Sequence, residues 1–582
     1  MPPAPEALAR DHISRGEFVQ AQRVLQAAIT QAPSDSNLLT LMAGVLLALN
    51  QPERAEYFAS RCVELSPAAA GPHAVMGDVL RRLNRPQDAA AAYERALAIA
   101  PSLPAPLANL ARIRAGEHRY DEAEALLRRA PQHMLEVASN LAGVLLDTGR
   151  ASEAVEIAAA NMKAQPTRVN WRILLANLAN YHPDMDPVEV SRLHASIGAL
   201  LSQALGEIRR PSVAPLPAPG EPIRLGFLSA DFYDHPVPRF MLPILRHLDR
   251  KRFHITCYNL GRTRDQITQE CKGLADAWHD LLELSDDQAA AKIIRDRTHV
   301  LFDLVGLTRG LRLGLLSQRP APIQVSWIGY PNSTGLPAID ARFVDTTTDP
   351  TDSPAVSLEQ LVPLDPCFLC YEPPHDAPQP ADRAAETSRE ITFGSFNVLA
   401  KFNHRTADLW AGVLKAVPAS RLLMKSAALA DPSVRARIGA AFESRGISPE
   451  RLELLGPTKG TAEHLAMYSR VDIALDTIPY NGTTTTCEAL WMGVPVVTLL
   501  GQSHAGRVGA SLLKAAGLPE LVARDPAEFL QVAAALASGA SRLSTLHSTL
   551  RTRLVSSTLT DAPAMAHRFA AAIETLIAAR TV

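Results

Sequence analysis

Pro33, Pro67 and Pro101 stand 34 residues apart, and the first third of the chain keeps that step. Ala21, Ala55, Ala89 and Ala123 repeat at the same interval, as do Gly16, Asn50, Asn84 and His118. Ala28, Cys62, Ala96 and Ala130 hold the register with small side chains, and Ala154 follows Ala123 after a shortened step of 31 residues, with Gly149 at its turn. A fixed period of this length marks a chain of stacked units, each too small to bury its own apolar face. The unit reads as two antiparallel helices. Small residues are needed where the helices cross closely, a residue tolerant of positive φ suits the turn, and proline ends one unit before the next begins. The expected first part of the molecule is an α-solenoid.

The 34-residue unit resembles the tetratricopeptide repeat. That resemblance implies a concave groove for an extended peptide or another protein, and Asn109, Asn140 and Asn177 offer a polar lining for a peptide backbone. The arm is assigned to residues 1–185.

Composition fits several folded units. The chain has 582 residues, 47% hydrophobic and 20% charged, with 58 basic against 60 acidic side chains and a formal net charge of −2. Such a balance calls for no nucleic acid and no anionic membrane as partner. Six scattered cysteines do not make a disulfide framework, and Cys367-x-x-Cys370 lacks the second ligand pair a zinc site requires. Met1-Pro2-Pro3-Ala4-Pro5 has no signal-peptide pattern. The most apolar window, Leu38 to Leu49, is a dozen residues, against about 20 for a membrane span. A cytoplasmic protein is expected.

Helical patterning runs to about Ala204, and the proline-rich stretch Arg209 to Pro222 reads as a stiff linker. Residues 186–221 are therefore taken as a helical segment and linker. Beyond them, short apolar runs alternate with helical stretches. Ile223–Ser229, Phe253–Leu260, His299–Gly306 and Ile323–Gly329 read as buried parallel strands. A second series comprises Ile391–Phe396, Arg421–Lys425, Leu452–Leu455, Ile473–Asp476 and Val494–Leu500. Two such series imply two doubly wound α/β lobes, 222–385 and 386–582, joined through the polar stretch Cys370 to Thr387. Ligands then bind at the carboxyl ends of the strands, in the cleft between lobes.

Chemistry-bearing residues follow those strands. His235 lies in the loop after the first run. Lys401 follows Ile391–Phe396. After Ile473–Asp476 comes an Asn481-Gly482 turn, then Thr483 to Thr486, Cys487 and Glu488. A helix starting at these threonines would offer free N–H groups and hydroxyls to a diphosphate. A lysine opposite would offset charge on a departing nucleoside diphosphate, and Glu488 could hold ribose hydroxyls. The chain has no Walker loop and no G-x-G-x-x-G, which removes support for kinase, ATPase and dehydrogenase readings. These patterns alone do not separate a glycosyltransferase from another two-lobed sugar or nucleotide binder.

Longer ordered motifs do. Arg319-Pro320-Ala321-Pro322-Ile323-Gln324 and Trp327-Ile328-Gly329-Tyr330-Pro331-Asn332-Ser333-Thr334-Gly335 resemble the signature of family 41 glycosyltransferases, which contains protein O-linked N-acetylglucosamine transferases and Spindly O-fucosyltransferases. Asp231-Phe232 with His235-Pro236, Phe396-Asn397 with Lys401, Leu475-Asp476-Thr477, Asn481-Gly482 with Thr484-Thr485, and Gly501 with Arg507-Val508 match in order. The resemblance spans about residues 222 to 555. It implies a GT-B fold and an inverting transfer from a nucleotide sugar to a Ser or Thr hydroxyl, with no metal and no cofactor. It also implies that the repeats recruit the protein acceptor. Lys401 would stabilise the leaving diphosphate and His235 would lie near the reacting sugar. Asn397, His464, Asp476, Thr484, Thr485 and Glu488 would hold the nucleotide sugar, with His464 against the base, Thr484 and Thr485 on the diphosphate and Glu488 in place of a ribose-binding aspartate.

Two departures bear on the donor. Val398 stands where the N-acetylglucosamine enzymes carry glutamine, and Lys459 and Thr461 differ from their uracil-reading residues. Gly394 to Asn397, Leu399 to Lys401, Thr483 to Glu488 and Cys367 to Tyr371 are closer to the Spindly type. The donor is therefore left between UDP-N-acetylglucosamine, GDP-fucose and another activated sugar. A non-catalytic repeat scaffold with decayed lobes, supported by Val398, and a dedicated bacterial flagellin glycosyltransferase are the alternatives. The sequence names neither the general base nor the oligomeric state.

Overall fold

The computed structural model describes residues 4–205, 213, 215–218, 220–353, 357–381 and 390–581. Met1 to Pro3, most of the Arg209–Pro219 part of the proline-rich linker and the 382–387 end of the inter-lobe stretch lie outside the described residues. The chain divides into two compact units, Met1–Thr148 and Gly149–Val582.

The first unit is built of helix pairs. Pro5–Ser14 and Phe18–Gln31 form one, followed by Ser36–Ala48 with Pro52–Leu65, Ala70–Arg82 with Pro86–Ile99, Pro104–Gly116 with Tyr120–Arg129, and then Leu135–Asp147. Every expected turn residue has positive φ: Gly16 at 73°, Asn50 at 56°, Asn84 at 58° and His118 at 59°. Glycine and asparagine tolerate that left-handed backbone best. Ala21, Ala55, Ala89 and Ala123 are fully buried, so any larger side chain there would push two helices apart. Gly77 serves the same end, since a Cβ on it would stand 2.5 Å from the Tyr93 ring. The periodic prolines sit in the turns between units, where no helical N–H is needed. Pro52, Pro86 and Pro104 instead open helices, the other position proline favours.

In the second unit the helices Ala151–Ala164, Val169–Ala179 and Pro187–Leu205 precede the first sheet. They belong to the same compact unit as the lobes, although the 34-residue register counts the first two with the arm. Ile173, Ala176, Ile197 and Leu201 share one apolar core with Leu228, Tyr258, Leu301 and Leu336 of the first lobe.

That lobe contains β1 (Ile223–Ser229), β2 (Phe253–Asn259), β3 (Ala277–Asp280), β4 (Val300–Asp303), β5 (Ile323–Ser326), β6 (Ala341–Val344) and β7 (Gln360–Pro363), in the order β3-β2-β1-β4-β5-β6-β7. The second lobe contains β8 (Ile391–Ser395), β9 (Ser420–Lys425), β10 (Leu452–Leu455), β11 (Ile473–Leu475), β12 (Val496–Leu499) and β13 (Val522–Ala523), ordered β10-β9-β8-β11-β12-β13. All pairings are parallel. Both lobes are thus doubly wound, with a change of direction beside β1 in one and β8 in the other, where such folds place ligands. The nine expected strands are present within a few residues. β3, β6, β7 and β13 are additional, and they are two to four residues long.

The chain ends by crossing back. The helix Ala562–Thr581 packs against Pro236–His247 of the first lobe. Its Phe569 ring lies 5.0 Å from Phe302 and Trp327 and 5.4 Å from Phe343.

Candidate active site

A cleft of about 420 Å³ opens at the carboxyl ends of the strands, lined from the first lobe by His235, Trp327 and Tyr330 and from the second by Lys401, Tyr480 and Thr485, among others. Lys401 lies in the short 3₁₀ turn Leu399–Lys401 that follows β8. Its Nζ donates to the Asn481 carbonyl at 2.6 Å and lies 4.1 Å over the Tyr480 ring. Burial pulls its pKa down to about 8, with Asp476 opposing the shift. An ammonium so desolvated gains strongly from any anion brought beside it.

The loop after β11 is fixed from beneath by Asp476, which is buried. One carboxylate oxygen accepts from the Thr477 and Gly482 amides at 2.9 and 2.6 Å, and the other from the Thr498 hydroxyl at 2.7 Å. Asp476 therefore stands behind the loop and not in the cleft, where it orders the backbone that presents Asn481 to Lys401. The helix Thr484–Trp491 follows, with no side-chain hydrogen bond capping its start. Thr483, Thr484 and Thr485 all line the cleft. The Thr485 hydroxyl donates to Asn397 Oδ1 at 2.9 Å, tying the two loops together. Gly482 has no room for a side chain, as a Cβ would stand 2.6 Å from Thr485 Oγ1 and 2.8 Å from Thr486 Oγ1.

His464 and Glu488 form a second polar group beside this cleft. Lys425, at the end of β9, donates to His464 Nδ1 at 2.6 Å, so His464 presents Nε2–H to Glu488 Oε2 at 3.1 Å. Phe396 and Tyr468 pack nearby at a tilt, with ring centres 4.3 Å apart, and Lys425 Nζ lies 5.7 Å over Phe396. Burial lowers the Lys425 pKa, against the pull of Glu488 and Glu463. The sequence reading missed Lys425, whose only signal was a charge closing an apolar strand.

On the opposite side His235 is the N-cap of Pro236–His247, and its Nδ1 accepts from the Val237 amide at 3.4 Å. Burial lowers its pKa while Asp231, 3.9 Å away, raises it. Tyr330 is held from outside the lobe. It accepts from Asn180 Nδ2 at 2.8 Å and donates to His194 Nε2 at 2.7 Å, because His194 Nδ1 donates to the Val190 carbonyl at 2.7 Å. The helices before the lobes thus fix part of the cleft wall. Asn177 is spent likewise, donating to the Leu307 carbonyl at 2.8 Å. Asn109 donates to Asp78 and accepts from Arg112, while Asn140 Nδ2 is buried without a partner among the described residues. Val398 lines the cleft with 56% of its surface exposed.

The two lobes also meet through side chains, of which the sequence singled out only Arg507. His504, in the turn after β12, donates from Nδ1 to Asp349 Oδ2 at 2.5 Å, and Arg342 bonds the other oxygen of Asp349. Burial disfavours the charge on Asp349, yet His504 and Arg342 hold its carboxyl below the usual range. Arg507 donates to the Thr347 carbonyl at 2.6 Å. All six cysteines are buried and unpaired. No group of three or more His, Cys, Asp or Glu side chains suited to a metal ion occurs among the described residues, and no described helix is long and apolar enough to cross a membrane.

Comparison with known proteins agrees with this layout. The model of glycosyl transferase family 41 matches residues 211–372 and 383–569, and a tetratricopeptide-repeat model matches residues 80–136. The probable UDP-N-acetylglucosamine–peptide N-acetylglucosaminyltransferase SPINDLY of Arabidopsis thaliana is 39% identical over 356 residues, or 60% of this chain and 38% of its own length. The SEC protein of the same plant, named for the same activity, is 29% identical over 65% of this chain and 40% of its own. The chain thus spans less than half the length of these relatives. A solved structure of a mutant O-GlcNAc transferase from Thermobaculum terrenum matches with a TM-score of 0.81 and 31% identity, covering 88% of this chain and 98% of that one. With two doubly wound lobes, a lysine and a threonine-led helix facing one cleft, and matches of this extent, the chain belongs to glycosyltransferase family 41.

Proposed function

We propose that the protein is an inverting protein O-glycosyltransferase. It would move an N-acetylglucosamine- or fucose-type sugar from a nucleotide donor to a Ser or Thr hydroxyl of a protein recruited by the repeats. The observation that carries the reading is Lys401, a desolvated ammonium facing the start of a helix whose threonines line the same cleft. A leaving nucleoside diphosphate gathers negative charge on its terminal oxygens. A preorganised cation and helix N-terminus gain most at that moment, which is what lowers a barrier. In this scheme no metal or other cofactor is required, because Lys401 and the Thr484–Thr485 helix start supply the charge stabilisation.

His464, Glu488 and Lys425 would take the nucleoside, Glu488 accepting from ribose hydroxyls and the Phe396–Tyr468 pair flanking the base. Asn397, Thr484 and Thr485 would hold the diphosphate, and His235 would orient the sugar or the acceptor. The relatives named for UDP-N-acetylglucosamine support that donor class. The exposed Val398 removes a polar contact from the cleft floor and keeps GDP-fucose in contention.

The test is a thermal-shift series with UDP, GDP, UDP-N-acetylglucosamine and GDP-fucose on the full chain and on Lys401→Ala, followed by transfer assays with the stabilising donor. A ligand that binds only the folded state raises its melting temperature. Stabilisation by one nucleotide family, with turnover lost in Lys401→Ala, supports the reading. Stabilisation by none, on well-folded protein, favours the scaffold.

A further inference from the structure

Two histidines line the cleft, and their hydrogen bonds give them opposite tautomers. A neutral imidazole has one N–H donor and one lone-pair acceptor, and the partner of one nitrogen decides the state of the other. His235 Nδ1 accepts from the Val237 amide at 3.4 Å, so the proton of the neutral ring sits on Nε2. His504 is reversed. Its Nδ1 faces a carboxylate oxygen of Asp349 at 2.5 Å, and a carboxylate only accepts, so Nδ1 carries the proton and Nε2 the lone pair. His235 can donate a hydrogen bond into the cleft. Only His504 is poised to take a proton from it.

Asp349 is well placed to impose this. It is buried, its other oxygen is bonded to Arg342, and it stays ionised. The His504 ring packs edge-on against Phe368 at 5.0 Å. Its Nε2 has no hydrogen-bond partner among the described residues. The turn that carries it is coupled to the lysine site. Ala505 accepts from the Asn481 amide at 3.0 Å, and the carbonyl of that same Asn481 accepts from Lys401. His504 and Lys401 are therefore both tied to the backbone of Asn481.

We infer that His504 is the general base of the transfer, with Asp349 as its positioning residue; this rests on the transferase reading above. As the acceptor oxygen bonds to C1 of the donor sugar, its proton passes to His504 Nε2. The bond from C1 to the diphosphate oxygen breaks, and its electron pair leaves on the nucleoside diphosphate beside Lys401. Asp349 then faces an imidazolium, which its charge stabilises.

Two measurements on the full chain test this. In histidine-selective ¹⁵N-labelled protein, two-bond proton–nitrogen correlations report each tautomer, with His504→Gln and His235→Gln giving the assignments. His504 is expected protonated on Nδ1 and His235 on Nε2; the reverse at His504 overturns the inference. Hydrolysis of UDP-N-acetylglucosamine and GDP-fucose gives the second readout, water replacing the acceptor hydroxyl. His504→Gln is expected to lower kcat by about 100-fold or more while affinity for UDP or GDP changes less than about twofold. Added imidazole is expected to restore turnover to His504→Ala. Turnover of His504→Gln within about threefold of wild type, in protein that still binds nucleotide, removes the base from His504. A wild type that binds neither nucleotide and hydrolyses neither donor instead refutes the transferase reading, and the base falls with it.

Discussion

Lys401→Met is expected to abolish turnover and yet stabilise the protein at neutral pH. The wild-type lysine has its pKa drawn from 10.5 to about 8, chiefly by burial. At about 1.4 kcal/mol per unit, keeping it charged in the fold costs about 3 kcal/mol relative to the unfolded chain. The sign is that of a cation with a depressed folded pKa. The cost is complete below pH 8, shrinks as pH rises from 8 to 10.5, and is gone above. Methionine fills similar space without the charge, but it leaves the Asn481 carbonyl without its 2.6 Å donor, a loss of about 1–2 kcal/mol. The net gain at pH 7 is about 1–2 kcal/mol, and near pH 10 the difference reverses. For a unit as large as Gly149–Val582 that is a rise in melting temperature of about 2 °C at pH 7. Thermal melts of both proteins at pH 7 and pH 10, each with and without UDP or GDP, read the effect. With nucleotide the wild type should gain stability and the variant far less. A variant less stable than wild type at pH 7, by a margin that stays the same at pH 10, would refute the claim that Lys401 is held in the fold against a desolvation cost.

Other outcomes follow from the same structure. Burial lowers the His194 pKa to about 4, so stability complete above pH 6.5 is lost as pH falls towards 4, by about 3 kcal/mol; His194→Gln should flatten that acid limb in chemical denaturation. Tyr330→Phe removes the hydroxyl between Asn180 and His194 and should cost about 1–3 kcal/mol, read by the same denaturation curves. Gly77→Ala should destabilise the repeat unit by about 1–3 kcal/mol, seen as loss of helical circular dichroism at lower temperature. Glu488→Gln should weaken nucleotide binding in calorimetry by about tenfold, the scale of a charge-assisted hydrogen bond of about 1.5 kcal/mol, with the melting temperature unchanged.

The repeat arm is the part most legible in the sequence, because its constraints are local. A left-handed turn at Asn50 or Asn84 and a close crossing at Ala55 or Ala89 each restrict one residue type at one position. The buried strands are legible for a similar reason, as the residues of β1 and β4 are mostly apolar and buried. The strands that escape notice are short or carry polar edge residues. β3 reads Ala-Trp-His-Asp and β7 reads Gln-Leu-Val-Pro, and only their sheet neighbours make them strands. In the site, His235, Lys401 and Thr485 follow strand ends and could be found by position. Lys425 could not, since its role depends on His464 lying 39 residues away in sequence. The pairing of His504 with Asp349 spans 155 residues and two lobes, and nothing local in either segment announces it. Asp476 sits in a motif with candidate site residues, but the hydrogen bonds of its carboxylate all run to its own loop and to β12.

The return of the last helix onto the first lobe sets the order in which the molecule can be finished. Phe302, Trp327 and Phe343 belong to a lobe whose strands are complete by Pro363, yet the ring that covers them, Phe569, lies in the last helix of the chain. During synthesis that lobe leaves the ribosome with an apolar face bare, and it stays so for the whole time the second lobe takes to be made. At about 5–20 residues per second that wait lasts on the order of ten seconds or more, long beside the submillisecond timescale of hydrophobic collapse. Losing the final helix would therefore leave that face bare for good. The truncated chain would keep every strand and every residue of the cleft, and it would carry a permanent aggregation surface on the lobe made first.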